Sequence, residues 1–122
     1  MAYTGWLLPE KDRVELLSRF PPVYDDVIAH HVTLIMGIDE LPTTTTGTVV
    51  GIVDDGMGCQ VLVVAIDGST DRWDGSTYHI TWSLDRDVYN RKPVHSMAVL
   101  KEFGWEPVWP VEIKLIPTVF PD

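Results

Sequence analysis

The sequence predicts a fold of the α+β class. Two stretches carry apolar residues at the three- and four-residue spacing of amphipathic helices, and six others are dense in β-branched and aromatic residues. Their order along the chain is β-α-β, then ββ, then β-α-β, which suggests two similar halves. With 122 residues, of which 45% are hydrophobic, residues 1–122 are expected to form a single domain.

A strand followed by a helix opens the chain. Residues 3–8 are short and apolar enough for a strand, and Pro9 stands where a first helical turn tolerates proline. Residues 9–20 then predict an amphipathic helix with apolar positions at Val14, Leu16, Leu17 and Phe20. The Pro-Pro pair that follows ends this helix.

Strands and turns dominate the middle of the chain. Residues 28–36 predict a strand, along which alternate side chains point to opposite faces. Residues 47–53 and 59–66 are rich in valine and isoleucine. The acidic and glycine-containing turn at 54–58 predicts that these two strands form a hairpin.

The C-terminal part repeats the β-α-β order. Residues 77–84 alternate as a strand, and a charged loop follows them. Ser96 is expected to cap a helix that ends at Gly104, a common C-terminal stop. Residues 111–120 predict a last strand, and Pro117 within it places that strand at the edge of a sheet.

Charge and composition exclude several classes of function. The formal net charge of −9 repels a long polyanion, so we expect no duplex DNA as a partner. No apolar run approaches the roughly 18 residues of a membrane span, and the first residues lack the pattern of a signal peptide. We therefore expect no membrane partner and a cytoplasmic location. Cys59 is the only cysteine, which excludes an intramolecular disulfide and a cysteine-based zinc site.

One cluster of basic residues stands out in this acidic chain. Arg86, Arg91 and Lys92 fall within seven residues and predict a cationic rim that admits a small anionic substrate. The alternative is that they are scattered surface charges on a loop. Among the aromatic residues, Trp73 in a polar loop and Tyr89 beside the basic cluster are the best candidates for a platform that stacks on a base.

Two His-x-Thr tripeptides carry the predicted chemistry. His31 with Thr33, and His79 with Thr81, project to the same side of their strands because side chains two residues apart share a face. Two imidazoles can serve as base and acid near neutral pH, and two hydroxyls can hold phosphate oxygens. These groups suffice to cleave a phosphodiester with no metal and no cofactor.

Other polar residues are expected to have simpler roles. His30 should point away from His31 because neighbouring strand residues face opposite sides. His95 is expected to be a solvated loop residue. A metal hydrolase is the rival enzyme class, but no His-Glu-x-x-His spacing is present, and a hairpin turn explains the acidic pair Asp54 and Asp55.

The two motifs resemble a known family signature. Residues 31–34 (HVTL) and 79–82 (HITW) are similar to the paired motif of the two-histidine (2H) phosphoesterase superfamily. This superfamily includes cyclic phosphodiesterases, 2′-5′ RNA ligase-like enzymes and phage enzymes that degrade cyclic oligonucleotide signals. Segments 3–5, 19–22 and 92–96 resemble its cyclic phosphodiesterase-like, RNA-repair-associated branch.

The resemblance implies a compact bilobal fold, in which antiparallel sheets form a concave cleft with two main helices outside. In this cleft the two histidines would face each other and the two threonines would bind phosphate. For the attack of water on a cyclic phosphate, His79 is expected to be the base and His31 the acid. The residues expected to bind substrate are Tyr3, Arg86, Tyr89, Arg91, Lys92 and Ser96.

The expected function is metal-independent hydrolysis of nucleotide phosphodiesters. Its substrates would be 2′,3′-cyclic or related cyclic phosphates, on a small nucleotide or on an RNA end. A close alternative is a phage-type enzyme that opens cyclic oligonucleotide immune signals in the host cytoplasm. A catalytically silent nucleotide-binding module with the same fold is an alternative from a different class. The sequence leaves the substrate and the oligomeric state open.

Overall fold

Two antiparallel sheets and two helices make up the described part of the chain, which confirms the predicted α+β class. The structure, a computed structural model, describes residues 2–37 and 40–121. No helix within these residues has the length and the apolar character needed to cross a membrane. The elements are β1 (Tyr3–Leu7), α1 (Glu10–Arg19), β2 (Asp26–Val27), β3 (His31–Met36), β4 (Thr46–Asp54), β5 (Cys59–Ala65), β6 (His79–Leu84), a 3₁₀ turn (Pro93–His95), α2 (Ser96–Phe103), β7 (Glu106–Lys114) and β8 (Ile116–Phe120).

The strands are divided between the sheets out of chain order. The smaller sheet has the order β3-β1-β8, and the larger sheet has the order β2-β6-β5-β4-β7. Each sheet therefore draws strands from both halves of the chain. The exchange is reciprocal: β8 from the C-terminal half pairs with β1, and β2 from the N-terminal half pairs with β6.

The chain crosses between the sheets at two breaks within predicted strands. The strand predicted at 28–36 begins only at His31, because Ala29 adopts a left-handed backbone conformation with a φ of 44°. The residues before this break pair with the larger sheet, and those after it pair with the smaller one. The predicted last strand divides in the same way at Leu115, into β7 and β8.

Two local predictions are confirmed. Strands β4 and β5 form the expected antiparallel hairpin. Two carboxylates at the end of β4 hold the turn, and the first of them, Asp54, accepts the N–H of Gly56 at 2.9 Å. In the same turn, Asp55 accepts the N–H of Met57 at 2.8 Å. Pro117 lies in β8, at the edge of its sheet.

The apolar core has two clusters, one on each face of β5. The first joins the two sheets and includes Trp6 of β1, Val32 of β3 and Ile80 of β6. Leu16, the buried residue of α1, packs into this cluster. The second cluster covers the opposite face of β5 and receives Val99 of α2. Of the apolar positions predicted for the first helix, Leu16, Leu17 and Phe20 pack on this core. Val14 does not, since it is 58% exposed.

Candidate active site

The two strands that carry the His-x-Thr motifs lie side by side, although they belong to different sheets. The N–H of Ile28 donates to the carbonyl oxygen of Trp82 at 3.0 Å. The N–H of Ala29 donates to the carbonyl oxygen of Thr81 at 3.0 Å. These bonds attach the segment before β3 to β6, so His31 lies two residues beyond a direct backbone contact with the second motif.

The motif side chains share one cavity. Val32 and Ile80, the middle residues of the motifs, are fully buried in the core, and the flanking residues project to the opposite face. There the cavity has a volume of about 380 Å³, within the range of small-molecule sites. It is lined by His31, Thr33, His79 and Thr81, together with Tyr3, Met36, Arg72, Pro93, Val94 and Met97. The structure thus brings the four predicted catalytic residues and Tyr3 together.

His79 is held in one tautomer. Its Nδ1–H donates to the carbonyl oxygen of Thr77 at 2.8 Å, because a carbonyl can only accept. The neutral ring therefore carries its lone pair on Nε2. Burial lowers the pKa of His79, the bond to Thr77 opposes this shift, and the charge of Arg72 adds to it. The lowered pKa keeps His79 in the neutral, proton-accepting form.

His31 lies among aromatic rings. The ring centroids of Tyr3 and Phe120 are 5.3 and 5.0 Å from that of His31. Burial lowers the pKa of His31 to about 4, and the neighbouring imidazoles of His30 and His79 contribute to the shift. In the absence of substrate this ring is therefore neutral at neutral pH.

His30 contacts His31, so the prediction that it points away is wrong. The Nδ1 atoms of the two rings lie 3.1 Å apart, and one of them must donate to the other. Strand alternation does not apply to this pair because β3 begins only at His31, after the left-handed residue Ala29. Since His30 is exposed, it connects the site histidine to solvent.

Ser96 lies behind the second motif rather than in the cavity, which corrects its predicted place among the residues lining the site. Its Oγ is 2.7 Å from Oγ1 of Thr81, and both side chains are buried. The predicted capping role is also wrong, since no side-chain capping bond is found at this end of α2. The reason is that α2 continues from the 3₁₀ turn, so Ser96 already has helical backbone angles.

Arg72 is a site residue that the sequence reasoning missed. Its side chain is only 13% exposed and comes from a loop that was predicted merely to be polar. Its Nη1 donates to the carbonyl oxygen of Thr33 at 3.3 Å, and its Nε donates to Oγ of Ser76 at 2.8 Å. Its Nε also forms an ion pair with Oδ1 of Asp74 at 3.4 Å, but unlike Arg86 and Arg91, Arg72 lines the cavity. Its position seven residues before His79 could have indicated a basic residue near the second motif. The prediction instead relied on the denser basic cluster that follows this motif.

The predicted cationic rim does not border this cavity. Arg86 forms an ion pair with Asp26, and Arg91 forms one with Asp55. The acidic partners of these two guanidinium groups are distant in the sequence, so the sequence alone does not reveal the ion pairs. Four residues of this loop were predicted to bind substrate: Arg86, Tyr89, Arg91 and Lys92. None of them is among the described residues that line the cavity.

A second cavity, of about 440 Å³, lies elsewhere on the protein. Its lining includes the carboxylates of Asp12, Asp67 and Glu112, with Lys114 as the only basic side chain among the described residues around it. This charge disfavours an anionic substrate. Within residues 2–37 and 40–121, no three His, Cys, Asp or Glu side chains are grouped so that they could hold a metal ion.

Comparison with known proteins finds no match for this chain among protein-family models, curated proteins or solved structures. The relation to the 2H phosphoesterase superfamily therefore stays a prediction from the two motifs. What the site can do has to follow from its own side chains.

Proposed function

We propose that this protein is a metal-independent phosphodiesterase that hydrolyses nucleotide phosphodiesters, with 2′,3′-cyclic and related cyclic phosphates as its substrate class. One observation carries this proposal: a single cavity is lined by Arg72 and by the four motif side chains, His31, Thr33, His79 and Thr81. Two imidazoles, two hydroxyls and a cation are the groups that acid-base cleavage of an anionic phosphodiester needs. The proposal includes a bilobal 2H phosphoesterase fold, with the cavity as its cleft.

His79 is the general base in this proposal. Its Nε2 takes a proton from water while the water oxygen forms a bond to phosphorus. The bond from its Nδ1–H to the Thr77 carbonyl supports this role, because it leaves the lone pair on Nε2. The neighbouring charge of Arg72 supports it too, since a cation favours the neutral ring.

His31 is the general acid. It gives a proton to the leaving oxygen as the bond from that oxygen to phosphorus breaks, and the products are a phosphomonoester and a free hydroxyl. The pKa of His31 is about 4 in the free protein, and a bound phosphate raises it because negative charge favours the imidazolium. When His31 is charged, Nδ1 of His30 can accept its Nδ1–H, which leaves Nε2 for the substrate. Proton exchange with solvent then restores both rings.

The remaining groups stabilise charge on the non-bridging phosphate oxygens. The hydroxyls of Thr33 and Thr81 donate hydrogen bonds, and the guanidinium of Arg72 supplies the positive charge. Donors that are fixed before the reaction contribute most, because they need no reorganisation in the transition state. The bonds from Arg72 to the Thr33 carbonyl and to Ser76 provide such fixation.

A hydrolysis assay with purified protein tests the proposal. The substrates are 2′,3′-cyclic mononucleotides, an RNA end with a cyclic phosphate, ADP-ribose cyclic phosphate and cyclic di- and trinucleotides. Turnover is expected to survive EDTA and to follow a bell-shaped pH profile, because one imidazole must be neutral and the other charged. Loss of activity in EDTA that a divalent ion restores would overturn the mechanism. Binding without turnover would favour the silent module.

Arg72 and Arg86 offer a matched pair of variants that tests whether this cavity is the site. Arg72→Gln should lower kcat/KM on the order of 10²-fold, because it removes the charge that faces the phosphate. Arg86→Gln removes the same charge from an exposed ion pair with Asp26, outside the cavity, and should leave kcat/KM nearly unchanged. Equal losses in the two variants would contradict the proposed location.

A further inference from the structure

A second chamber adjoins the catalytic cavity. It has a volume of about 390 Å³, close to that of the catalytic cavity itself. Thr33, Met36 and Arg72 line both spaces, so the two spaces meet at these three residues. The remaining lining of the second chamber comes from Leu34, Ile35, Trp73 and Asp74. A ligand whose phosphate lies beside Arg72 can therefore extend into either space.

Trp73 provides a fixed aromatic surface in this second chamber. Its indole Nε1–H donates to the carbonyl oxygen of Leu34 at 2.8 Å, which anchors the ring to β3. The side chain is nevertheless 66% exposed. Among the described residues no other aromatic ring packs against it. A ring held at its edge with its surface open to solvent can stack on a base.

The charge of Asp74 favours a base over a phosphate in the second chamber. Hydrogen bonds from Ser76, with a smaller contribution from Arg72, lower the pKa of Asp74 to about 2, so its carboxylate stays ionised. The bonds from Ser76 and the ion pair with Arg72 all fall on Oδ1 of this carboxylate. This negative charge repels a second phosphate, whereas a carboxylate accepts hydrogen bonds from the amino group of a base. The phosphate therefore belongs on the Arg72 side and the base on the Trp73 side.

We propose that the second chamber binds the base of a second nucleotide, so that the preferred substrate holds at least two nucleotides rather than an isolated cyclic mononucleotide. This inference rests on the proposed function for the position of the scissile phosphate. Trp73 stacks on the second base, and Asp74 receives its amino group. The first nucleoside occupies the catalytic cavity, whose walls beside Val94 and Met97 are apolar.

Binding measurements test this inference independently of turnover. The ligands are adenosine 2′,3′-cyclic phosphate and the dinucleotide ApA ending in the same cyclic phosphate. Affinities are measured by calorimetry in a His79→Ala background, in which neither ligand should be consumed. Trp73→Ala should weaken the affinity for the dinucleotide by about 5- to 150-fold, which corresponds to the loss of one stacked base. It should weaken the affinity for the mononucleotide by less than about twofold. Trp73→Phe should retain most of the dinucleotide affinity, because it keeps an aromatic ring.

Trp109→Ala is the matched control, because Trp109 is 87% exposed and lies outside both spaces. It should change neither affinity. Equal weakening of both ligands by Trp73→Ala, or no effect on either, would overturn the inference. If the dinucleotide binds through Trp73 but the unmodified chain hydrolyses no substrate, the inference stands and the proposed function fails. If turnover of mononucleotides is as efficient as that of dinucleotides, the function stands and the inference fails.

Discussion

The hydroxyl groups of Thr81 and Ser96 lie 2.7 Å apart, and this contact joins the second motif to the first residue of α2. Both side chains are buried, and Oγ of Ser96 also lies 3.8 Å from Sγ of Cys59. Either hydroxyl can be the donor, and in the proposed reaction Ser96 donates to Oγ1 of Thr81, which leaves the Thr81 proton for the phosphate. Ser96 is therefore a positioning residue for Thr81.

Ser96→Ala should reduce both stability and activity. Removal of one buried hydrogen bond should lower the free energy of unfolding by about 1 kcal/mol. In the proposed reaction, kcat/KM should fall about fivefold because the Thr81 hydroxyl is then free to rotate. Urea denaturation and steady-state kinetics measure the two effects.

Ser83→Ala is the matched control for this prediction. Ser83 lies on the same strand, is fully buried and donates to Oε1 of Gln60 at 2.6 Å, outside the cavity. Its Oγ also accepts the N–H of Tyr24 at 3.2 Å, so its loss should reduce stability by at least as much as Ser96→Ala and leave kcat/KM unchanged. If both variants lose activity equally, the effect of Ser96→Ala comes from stability alone and the positioning role is wrong.

Arg86 and Arg91 should contribute very differently to stability. The Arg91 side chain is 21% exposed and pairs with the fully buried carboxylate of Asp55. The Arg86 and Asp26 side chains are 47% and 37% exposed. Arg91→Ala should cost about 3 kcal/mol because it leaves a buried charge unpaired. Arg86→Ala should cost less than about 1 kcal/mol, as solvent screens the exposed pair.

Denaturant unfolding of both variants measures this difference. Adding Asp55→Asn to Arg91→Ala should recover part of the lost stability, because the second change removes the unpaired charge. Equal effects of Arg86→Ala and Arg91→Ala would contradict the assignment, and so would a double variant that is less stable than Arg91→Ala alone.

Sequence patterns predicted the features that depend on neighbouring residues. The first helix, predicted at 9–20, is found at Glu10–Arg19, and the second, predicted at 96–104, is found at Ser96–Phe103. The β4-β5 hairpin was predicted from the composition of its turn. These features arise because helix spacing, strand alternation and turn composition act over only a few residues.

Features that depend on distant contacts were not predicted. The breaks at Ala29 and Leu115 exist because the chain exchanges one sheet for the other, which no local pattern encodes. The partners of Arg86 and Arg91 lie 60 and 36 residues away, so the basic cluster looked unpaired in the sequence. The role of Arg72 likewise depends on how its loop folds back on β3.

The free energy of unfolding should decrease as the pH is lowered, because of His31. Its pKa is about 4 in the folded protein, below the ordinary value of 6.5, so the unfolded chain binds the proton first as pH falls. The stabilisation is fully present above about pH 6.5 and is lost as the pH falls towards 4. The loss is roughly 2 to 3 kcal/mol for a shift of this size. Unfolding free energies measured at several pH values check it.

His31→Gln provides the comparison for this pH dependence, because glutamine does not titrate. Its free energy of unfolding should fall less steeply between about pH 6.5 and 4.5 than that of the unmodified chain. Carboxylates contribute equally to both proteins, so the difference isolates His31. Identical slopes would show that the imidazole is not desolvated in the folded state.

The two site histidines should behave as one catalytic unit. In the proposed reaction, His31→Ala and His79→Ala should each lower kcat on the order of 10²- to 10⁴-fold. The double variant should be little worse than the worse single one, because residues that act together are strongly non-additive. His95→Ala is the control, since this imidazole accepts the Lys92 N–H outside the cavity. A loss of kcat in the double variant equal to the product of the two single losses would contradict a single acid-base pair.

A substrate with a much better leaving group distinguishes the acid from the base. Such a leaving oxygen needs no proton, so it should restore turnover to His31→Ala, which lacks the proposed acid. It should not restore turnover to His79→Ala, because water still has to lose its proton to Nε2 of the base. Steady-state kinetics with a p-nitrophenyl phosphodiester measure both variants. Rescue of His79→Ala instead would reverse the two roles. On the cyclic phosphate substrate, rates in both variants equal to that of the unmodified chain would leave the silent binding module as the better interpretation.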